Sequence, residues 1–217
     1  MTARAAQLHS VVLDFDGTIA LNDLGDALCD RFAPPSWRLV DDLWEQKRVS
    51  LPEAQRRIWA LVRATPEAMV AAVDALGTLR PGLDDFLNRV SERGHRLVLA
   101  SGGFDLYVER LLGARLALFD AVYANRAALV DGGVRIAFPH AAVLGCALCA
   151  VCKGAVVDEE RDLGRTVTFI GDGTSDRCAV GRGARIVAVR GSKLARHCAA
   201  EGAACVEFDD FSALETP

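Results

Sequence analysis

Two aspartates stand two residues apart where a β-branched apolar run gives out, in Val11-Val12-Leu13-Asp14-Phe15-Asp16-Gly17-Thr18. At the end of a strand the backbone no longer has to send alternate side chains to opposite faces, so both carboxylates can address one point. Two acids so placed can divide labour, one attacking as a nucleophile and the other giving and taking protons. The plainer alternative for this stretch alone is an acidic turn with an ordinary Asp-Gly signal. A second acidic turn, Ile170-Gly171-Asp172-Gly173-Thr174-Ser175-Asp176, again follows an apolar run. Asp172 and Asp176 could hold a hard cation against the first pair. Mg²⁺, which takes one or two carboxylates plus phosphate oxygens and waters, suits this inventory better than Ca²⁺. With both motifs present, a Gly/Asp-rich surface loop is the weaker reading.

Between the two motifs, Ser101-Gly102-Gly103 offers a hydroxyl and backbone N–H groups ahead of a helix, the chemistry of a phosphate cradle; glycines also serve simple tight turns. Lysine is scarce. Only Lys47, Lys153 and Lys193 occur, the other basic side chains being arginine. Lys153 opens a helix between the serine turn and the second acidic turn, and a compact ammonium there would neutralise phosphoryl charge without forking onto it.

The elements that must position these groups follow from the pattern around them. Ser10–Phe15 reads as a buried parallel strand. From Leu21 to about Arg80 the chain turns helical: Thr65-Pro66-Glu67 places an N-cap, a first-position proline and a first-turn acid, and Pro34-Pro35-Ser36 and Ser50-Leu51-Pro52-Glu53 announce two more helices in the same way. Beyond Arg80-Pro81-Gly82 the pattern alternates. It gives a helix over 83–93, a strand over 96–100, a glycine turn at 101–103, a helix to Gly113, a hairpin about Asp131-Gly132-Gly133, a helix over 152–163 and strands over 167–170, 185–189 and 205–208. Alternation of this kind means βαβ units, and ligands then bind outside the carboxyl ends of the strands, where Asp14, Asp16, Ser101 and Asp172 fall.

Asp14-x-Asp16-Gly-Thr, the Ser101 turn, Lys153 and Gly171-Asp172-x-x-x-Asp176, in that order, resemble the four motifs of the haloacid dehalogenase superfamily across almost the whole chain, with Asp16 favouring its phosphatase branch. The resemblance implies an α/β fold: a Rossmann-like doubly wound parallel sheet, residues 1–20 and 81–217, with a helical cap, residues 21–80, inserted after the first strand. It also implies roles. Asp14 would attack phosphorus to form an aspartyl-phosphate, and Asp16 would protonate the leaving oxygen and then activate water. The Asp14 carboxylate, the Asp16 carbonyl and Asp172 would hold Mg²⁺. Ser101 and the Gly102 amide would bind a phosphoryl oxygen, Lys153 would neutralise charge, and Asp176 would orient Lys153 or a water on the cation.

Ser101-Gly-Gly-Phe-Asp105-Leu-Tyr, Phe138-Pro-His140, the cysteine-rich run ending in Cys152-Lys153, and Gly-Asp-Gly-Thr-Ser-Asp-Arg177 resemble the phosphoserine phosphatase-like group. Within it they are similar to methionine-salvage phosphatases acting on 2-hydroxy-3-keto-5-methylthiopentenyl-1-phosphate. Phosphoethanolamine and phosphocholine phosphatases share the cysteine-then-lysine feature but lack the Gly-Gly-Phe-Asp run. The alternatives that stay open are phosphoserine, phosphoethanolamine or phosphocholine as substrate, a phosphotransferase or mutase, and a non-catalytic phosphate- or zinc-binding protein.

All three tryptophans, Trp37, Trp44 and Trp59, fall in the helical insert. Trp37 and Trp44, seven apart, share a helix face. They could line an apolar pocket for a thioether or a cation–π box for choline; the preferred reading is the core of a small helical cap. Arg56, Arg57 and Arg63 could meet an anionic substrate, though a solvated helix face is the preferred reading. His140 with Cys146, Cys149 and Cys152 could supply a tetrahedral structural Zn²⁺ site, against a preferred reading of small buried thiols. An iron–sulfur run is disfavoured, Val156 standing where a fourth cysteine would.

Composition bounds these readings. With 217 residues, 51% hydrophobic and 25% charged, the chain has a sizeable core and room for one main domain plus an appendage. A net charge of −4 leaves no basic footprint for nucleic acid, so a small phosphorylated metabolite is the expected partner, acted on by a monomer or homodimer. The uncharged stretch Ala141–Cys152, interrupted by Gly145, falls short of the ~18 apolar residues that span a bilayer. Met1–Ser10 holds no secretory apolar stretch, and seven cysteines is an odd number for a disulfide framework, so a cytoplasmic chain is the expectation.

Overall fold

The structure, a computed structural model, describes residues 8–141, 144 and 146–216; the leader reading of Met1–Gln7 and the Gly145 break lie outside the described residues. The strands are β1 (His9–Leu13), β2 (Arg96–Phe104), β3 (Ala121–Val130), β4 (Gly133–Ala137), β5 (Thr166–Gly171), β6 (Arg185–Val189) and β7 (Cys205–Phe208). They form one sheet in the order β4-β3-β2-β1-β5-β6-β7, parallel throughout except for β4 against β3. This is a doubly wound α/β sheet.

The central strands read as unbroken apolar runs because both faces are covered. Val11 and Leu13 of β1, Leu97 and Leu99 of β2 and Ile170 of β5 belong to one core. Val12, Val98, Ala100, Val167 and Phe169 turn to the other face and pack with Val156, Val157 and Leu194. Those last three come from α7 (Lys153–Asp162) and α8 (Lys193–Glu201), which cover the second face, while α5 (Leu83–Glu92) and α6 (Asp105–Leu112) supply Phe86, Leu87 and Val108 to the first.

After β1 the chain enters the insert: α1 (Leu24–Phe32), α2 (Trp37–Glu45), α3 (Leu51–Trp59) and α4 (Pro66–Leu76). The expected caps form at Ser50 and Thr65, whose hydroxyls accept from the amides of Glu53 and Ala68. Ser36 does not cap; it is already helical in conformation and makes no such bond. The insert leaves and returns at one point, where Ala20 bridges Leu79 and the Leu21 amide donates to the Thr78 carbonyl at 2.9 Å.

The glycine turn expected at 101–103 is not a turn. Strand β2 runs on through Gly102 and Gly103 to Phe104, with a shift of register against β3 between Ala100 and Phe104, and α6 starts only at Asp105. Gly103 is there because a side chain would not fit: a Cβ on it would collide with the Tyr107 hydroxyl and come within 2.5 Å of the Asp16 carboxylate, whereas a Cβ on Gly102 would meet Leu51 and Lys153 only at ordinary contact distance. The hairpin at Asp131-Gly132 is as expected, with Val130 paired to Gly133 and Gly132 at φ +74°. Among the described residues no helix is long and apolar enough to cross a membrane.

Candidate active site

Asp14 sits one residue beyond β1, its amide still donating to the Ile170 carbonyl of β5 at 2.9 Å. The chain then makes one wide turn, closed by the Ala20 amide on the Phe15 carbonyl, with Gly17 at φ +70°. Gly17 is required twice over: the conformation is left-handed, and a Cβ would run into the Asp172 carboxylate. The buried Arg80 holds this turn by donating to the carbonyls of Gly17, Thr18 and Asp209 at 2.6, 2.7 and 2.8 Å.

That turn brings the sequence-separated groups together. Lys153, first residue of α7, is out of solvent, with Nζ 3.3 Å from Asp14 Oδ1 and 3.2 Å from Asp176 Oδ1, and it donates to Ser175 Oγ at 2.6 Å. Asp176 is fully buried, and its Oδ2 accepts from the amides of Asp172 and Gly173, both at 2.8 Å. Asp172 Oδ1 accepts from the Thr18 hydroxyl at 3.1 Å. Asp16 accepts on Oδ1 from the Leu24 amide at 3.0 Å and on Oδ2 from the Tyr107 hydroxyl at 3.2 Å.

Charge in this cluster is unbalanced. One carboxylate oxygen from each of Asp14, Asp172 and Asp176 falls within 4.8 Å of the others. Burial, then Asp176, raises the Asp14 carboxyl well above its usual range, with Lys153 acting the other way. Burial and Asp176 push Asp172 up to about 7. For Asp16 burial again leads, reinforced by Asp23 and Asp14. Burial alone would lower the Lys153 ammonium, but Asp14 and Asp176 hold it firmly charged. A hard cation on Asp14 and Asp172 would relieve the excess, and an all-oxygen donor set is what Mg²⁺ takes.

Against this geometry, the sequence pattern of the haloacid dehalogenase-like hydrolase family matches residues 11–180. The chain belongs to the haloacid dehalogenase-like hydrolases. A 2-hydroxy-3-keto-5-methylthiopentenyl-1-phosphate phosphatase from an Exiguobacterium species is 30% identical, the match covering 93% of each chain. Another protein of that name, from Bacillus velezensis, is 29% identical over 76% of this chain and 71% of its own. By fold the hydrolase is similar to phosphoserine phosphatase, in a phospho-aspartyl intermediate analogue form at a TM-score of 0.71, 19% identity and coverage of 95% and 97%. The chain is thus a phosphatase of the haloacid dehalogenase type, a phosphoric monoester hydrolase.

The hydrolase site opens into a cavity of about 300 Å³ between sheet edge and insert. Gly102 and Gly103 line it, whereas Ser101 is fully buried beneath them with its Oγ accepting from the Gly103 amide at 2.9 Å. All three tryptophans line it; Trp37 and Trp59 are at the same time buried core residues, so pocket wall and cap core are one surface. Among the described residues no arginine lines it. Arg56 stacks on Phe138, Arg57 pairs with Glu53 and Arg63 donates to the carbonyls of Ala60 and Val62.

Several groups had no signal in the sequence. Asn125 of β3 and Gln55 of α3 both donate to the Gly102 carbonyl, at 2.8 and 3.0 Å. Glu45, at the end of α2, accepts from Lys193 at 2.8 Å and from the Thr174 hydroxyl at 3.2 Å, tying the insert to the second acidic turn. The sulfurs of Cys146, Cys149 and Cys152 gather within 4.8 Å, but His140 is not with them; its ring packs edge-on to Tyr123 at 5.3 Å.

Proposed function

We propose that this hydrolase is a Mg²⁺-dependent phosphomonoesterase that works through an aspartyl-phosphate on Asp14 and takes 2-hydroxy-3-keto-5-methylthiopentenyl-1-phosphate as substrate. The observation carrying the mechanism is Asp14 held 3.3 Å from the buried Lys153, with Asp16 two residues on and fixed by two donors. In the first step an Asp14 oxygen bonds to phosphorus as the ester P–O bond breaks, and Asp16 gives its proton to the departing alkoxide. In the second, water attacks the same phosphorus, its proton returns to Asp16, and the Asp14–phosphorus bond breaks to free inorganic phosphate. A raised carboxyl suits Asp16 to the acid role, since a proton must be on it at neutral pH. Asp14, the Asp16 carbonyl and Asp172 would hold Mg²⁺, which when bound supplies positive charge to the phosphoryl oxygens.

Ser101, beneath the cavity floor, and the Gly102 amide would receive a phosphoryl oxygen, while Asp176 positions Lys153. Residues 21–80 act as the specificity cap over a core of 1–20 and 81–217. The substrate assignment is supported by the names of the full-length relatives and by an aromatic wall of Trp37, Trp44 and Trp59 suited to a thioether.

One observation favours a second reading. Seven carboxylates line the cavity against two lysines, and Asp23, Asp26 and Asp41 lie on the insert side with Trp37 and Trp44. A cationic head group, as in phosphoethanolamine or phosphocholine, would meet both charge and aromatic faces there. Initial rates with Mg²⁺ on these esters, phosphoserine and the thiopentenyl phosphate separate the readings by kcat/KM. Highest efficiency on an amine ester selects the second, and absence of turnover on all of them and on p-nitrophenyl phosphate overturns both.

A further inference from the structure

The segment 138–152, between β4 and α7, has no helix or strand among its described residues, yet it delivers Lys153 into the buried cluster. Long connections in compact domains are usually functional. Among its described residues, the Leu51 amide donates to the Leu148 carbonyl at 2.8 Å, the Leu144 amide to the His140 carbonyl at 3.1 Å and the Ala141 amide to the Phe138 carbonyl at 3.4 Å.

The three cysteines of this segment converge although no helix aligns them, with Sγ atoms within 4.8 Å of one another. A fourth sulfur comes from a distant stretch. Cys178, in the single-turn helix Ser175–Ala179, places its Sγ 3.5 Å from that of Cys149. The approach is built into the backbone, because α7 packs so tightly on this turn that a Cβ on Gly154 would collide with the Cys178 carbonyl. All four are free thiols, and 3.5 Å is far beyond the ~2.05 Å of a disulfide. Four sulfurs at the corners of a tetrahedron with bonds of ~2.3 Å stand about 3.8 Å apart; the three clustered sulfurs lie within 4.8 Å of one another and Cys178 stands 3.5 Å from Cys149, so closing the shell asks Cys178 to draw in towards Cys146.

We propose that Cys146, Cys149, Cys152 and Cys178 form a structural Zn²⁺ site that clamps residues 146–152, the approach to Lys153, to the Ser175–Ala179 turn, with Cys178 in the place a histidine would take. Binding displaces the thiol protons to solvent and closes a four-sulfur shell with no open position, so the ion serves architecture and not hydrolysis. Its position explains its use. Cys152 directly precedes Lys153 and Cys178 follows Asp176 by two residues, so the clamp fixes both members of the buried Lys153–Asp176 pair. The site is independent of the Mg²⁺-dependent reading of the carboxylate cluster.

The test is metal analysis of the whole protein, purified without chelator, by mass spectrometry. About one zinc per chain is expected, released on modifying the thiols with p-hydroxymercuribenzoate. Cys178→Ser should lose most of it and His140→Ala none. Should Cys178→Ser fail to fold, Co²⁺ added to stripped wild-type protein reports the donors directly, four thiolates giving intense sulfur-to-metal charge-transfer bands. Hydrogen exchange at the start of α7 should quicken on stripping. The proposal is overturned by reduced wild-type protein that carries neither zinc nor takes up Zn²⁺ or Co²⁺, by iron in its place, by a Cys149–Cys178 disulfide, or by zinc that survives Cys178→Ser and is lost in His140→Ala.

Discussion

Lys153 and Asp176 face each other across 3.2 Å with neither side chain in contact with solvent. Removing one partner of such a pair strands a buried charge, at a cost of about 3–5 kcal/mol, while replacing both with neutral groups of similar size is far milder. Lys153→Met should therefore unfold at markedly lower urea and lose activity. Asp176→Asn should lose less stability, because Lys153 keeps Asp14 and an Asn oxygen can still accept from the Asp172 and Gly173 amides. The double variant should recover part of the loss but no activity. Urea curves on all four proteins give the coupling, and single effects that add within about 0.5 kcal/mol would show that the two charges do not depend on each other.

Asp14 carries the opposite sign of effect. Its carboxyl is raised by burial and by Asp176, so in metal-free protein near neutral pH its charge opposes folding. Asp14→Asn should abolish turnover of every phosphomonoester while melting no lower than wild type in buffer containing a chelator. Paired melting curves and rate assays check this; residual turnover above about 1% of wild type would remove Asp14 as nucleophile, since such a group has no substitute in the site.

The Gly102 carbonyl is held from two sides, by Asn125 on the sheet and Gln55 on the insert. Asn125 is fully buried, so Asn125→Ala should cost about 1–3 kcal/mol and, by loosening the backbone at the cavity wall, lower kcat. Gln55 belongs to the proposed cap. Gln55→Ala should leave the melting temperature nearly unchanged and raise KM with little change in kcat, because its bond joins cap to core without shoring up either. If both variants change kcat and KM alike, cap and core do not play separate roles here.

These contrasts show which parts of the site are legible in one dimension. Asp14, Asp16, Asp172 and Asp176 announce themselves because a strand end and a glycine turn leave a local signature, and Lys153 because lysine is rare in this chain. Asn125 and Gln55 act only through partners far along the sequence, and each looks ordinary in its own strand or helix; Thr18 and Tyr107 fall inside the site motifs, but nothing local points to their bonds with Asp172 and Asp16. Gly102 and Gly103 carry a signal that points two ways. Glycine pairs read as a turn, whereas here the strand continues and Gly103 lets β2 pass under Tyr107 and Asp16 without a side chain in the way. Cys178 was hidden by its neighbours, since it follows the second acidic motif and lies far from the other three cysteines in sequence.

His9, at the start of β1 and away from the cavity, gives the fold a pH dependence of its own. Its ring nitrogens lie 2.7 Å from Thr166 Oγ1 and 3.1 Å from Thr168 Oγ1, and burial, then His95 and Arg185, pull its pKa from 6.5 down to about 4. Between those values the unfolded chain binds a proton that the folded protein refuses, so stability falls as pH drops from 6.5 towards 4 and levels off below. Because the ring is half-exposed, solvent screening reduces the effect to about 1 kcal/mol. His9→Gln keeps a side chain able to bond the threonines but does not titrate there. Melting temperatures of the two proteins should therefore run closest together at pH 4.5 and diverge in favour of wild type by pH 7.5, and parallel curves across that range would show that the imidazole takes up its proton equally well in the folded state.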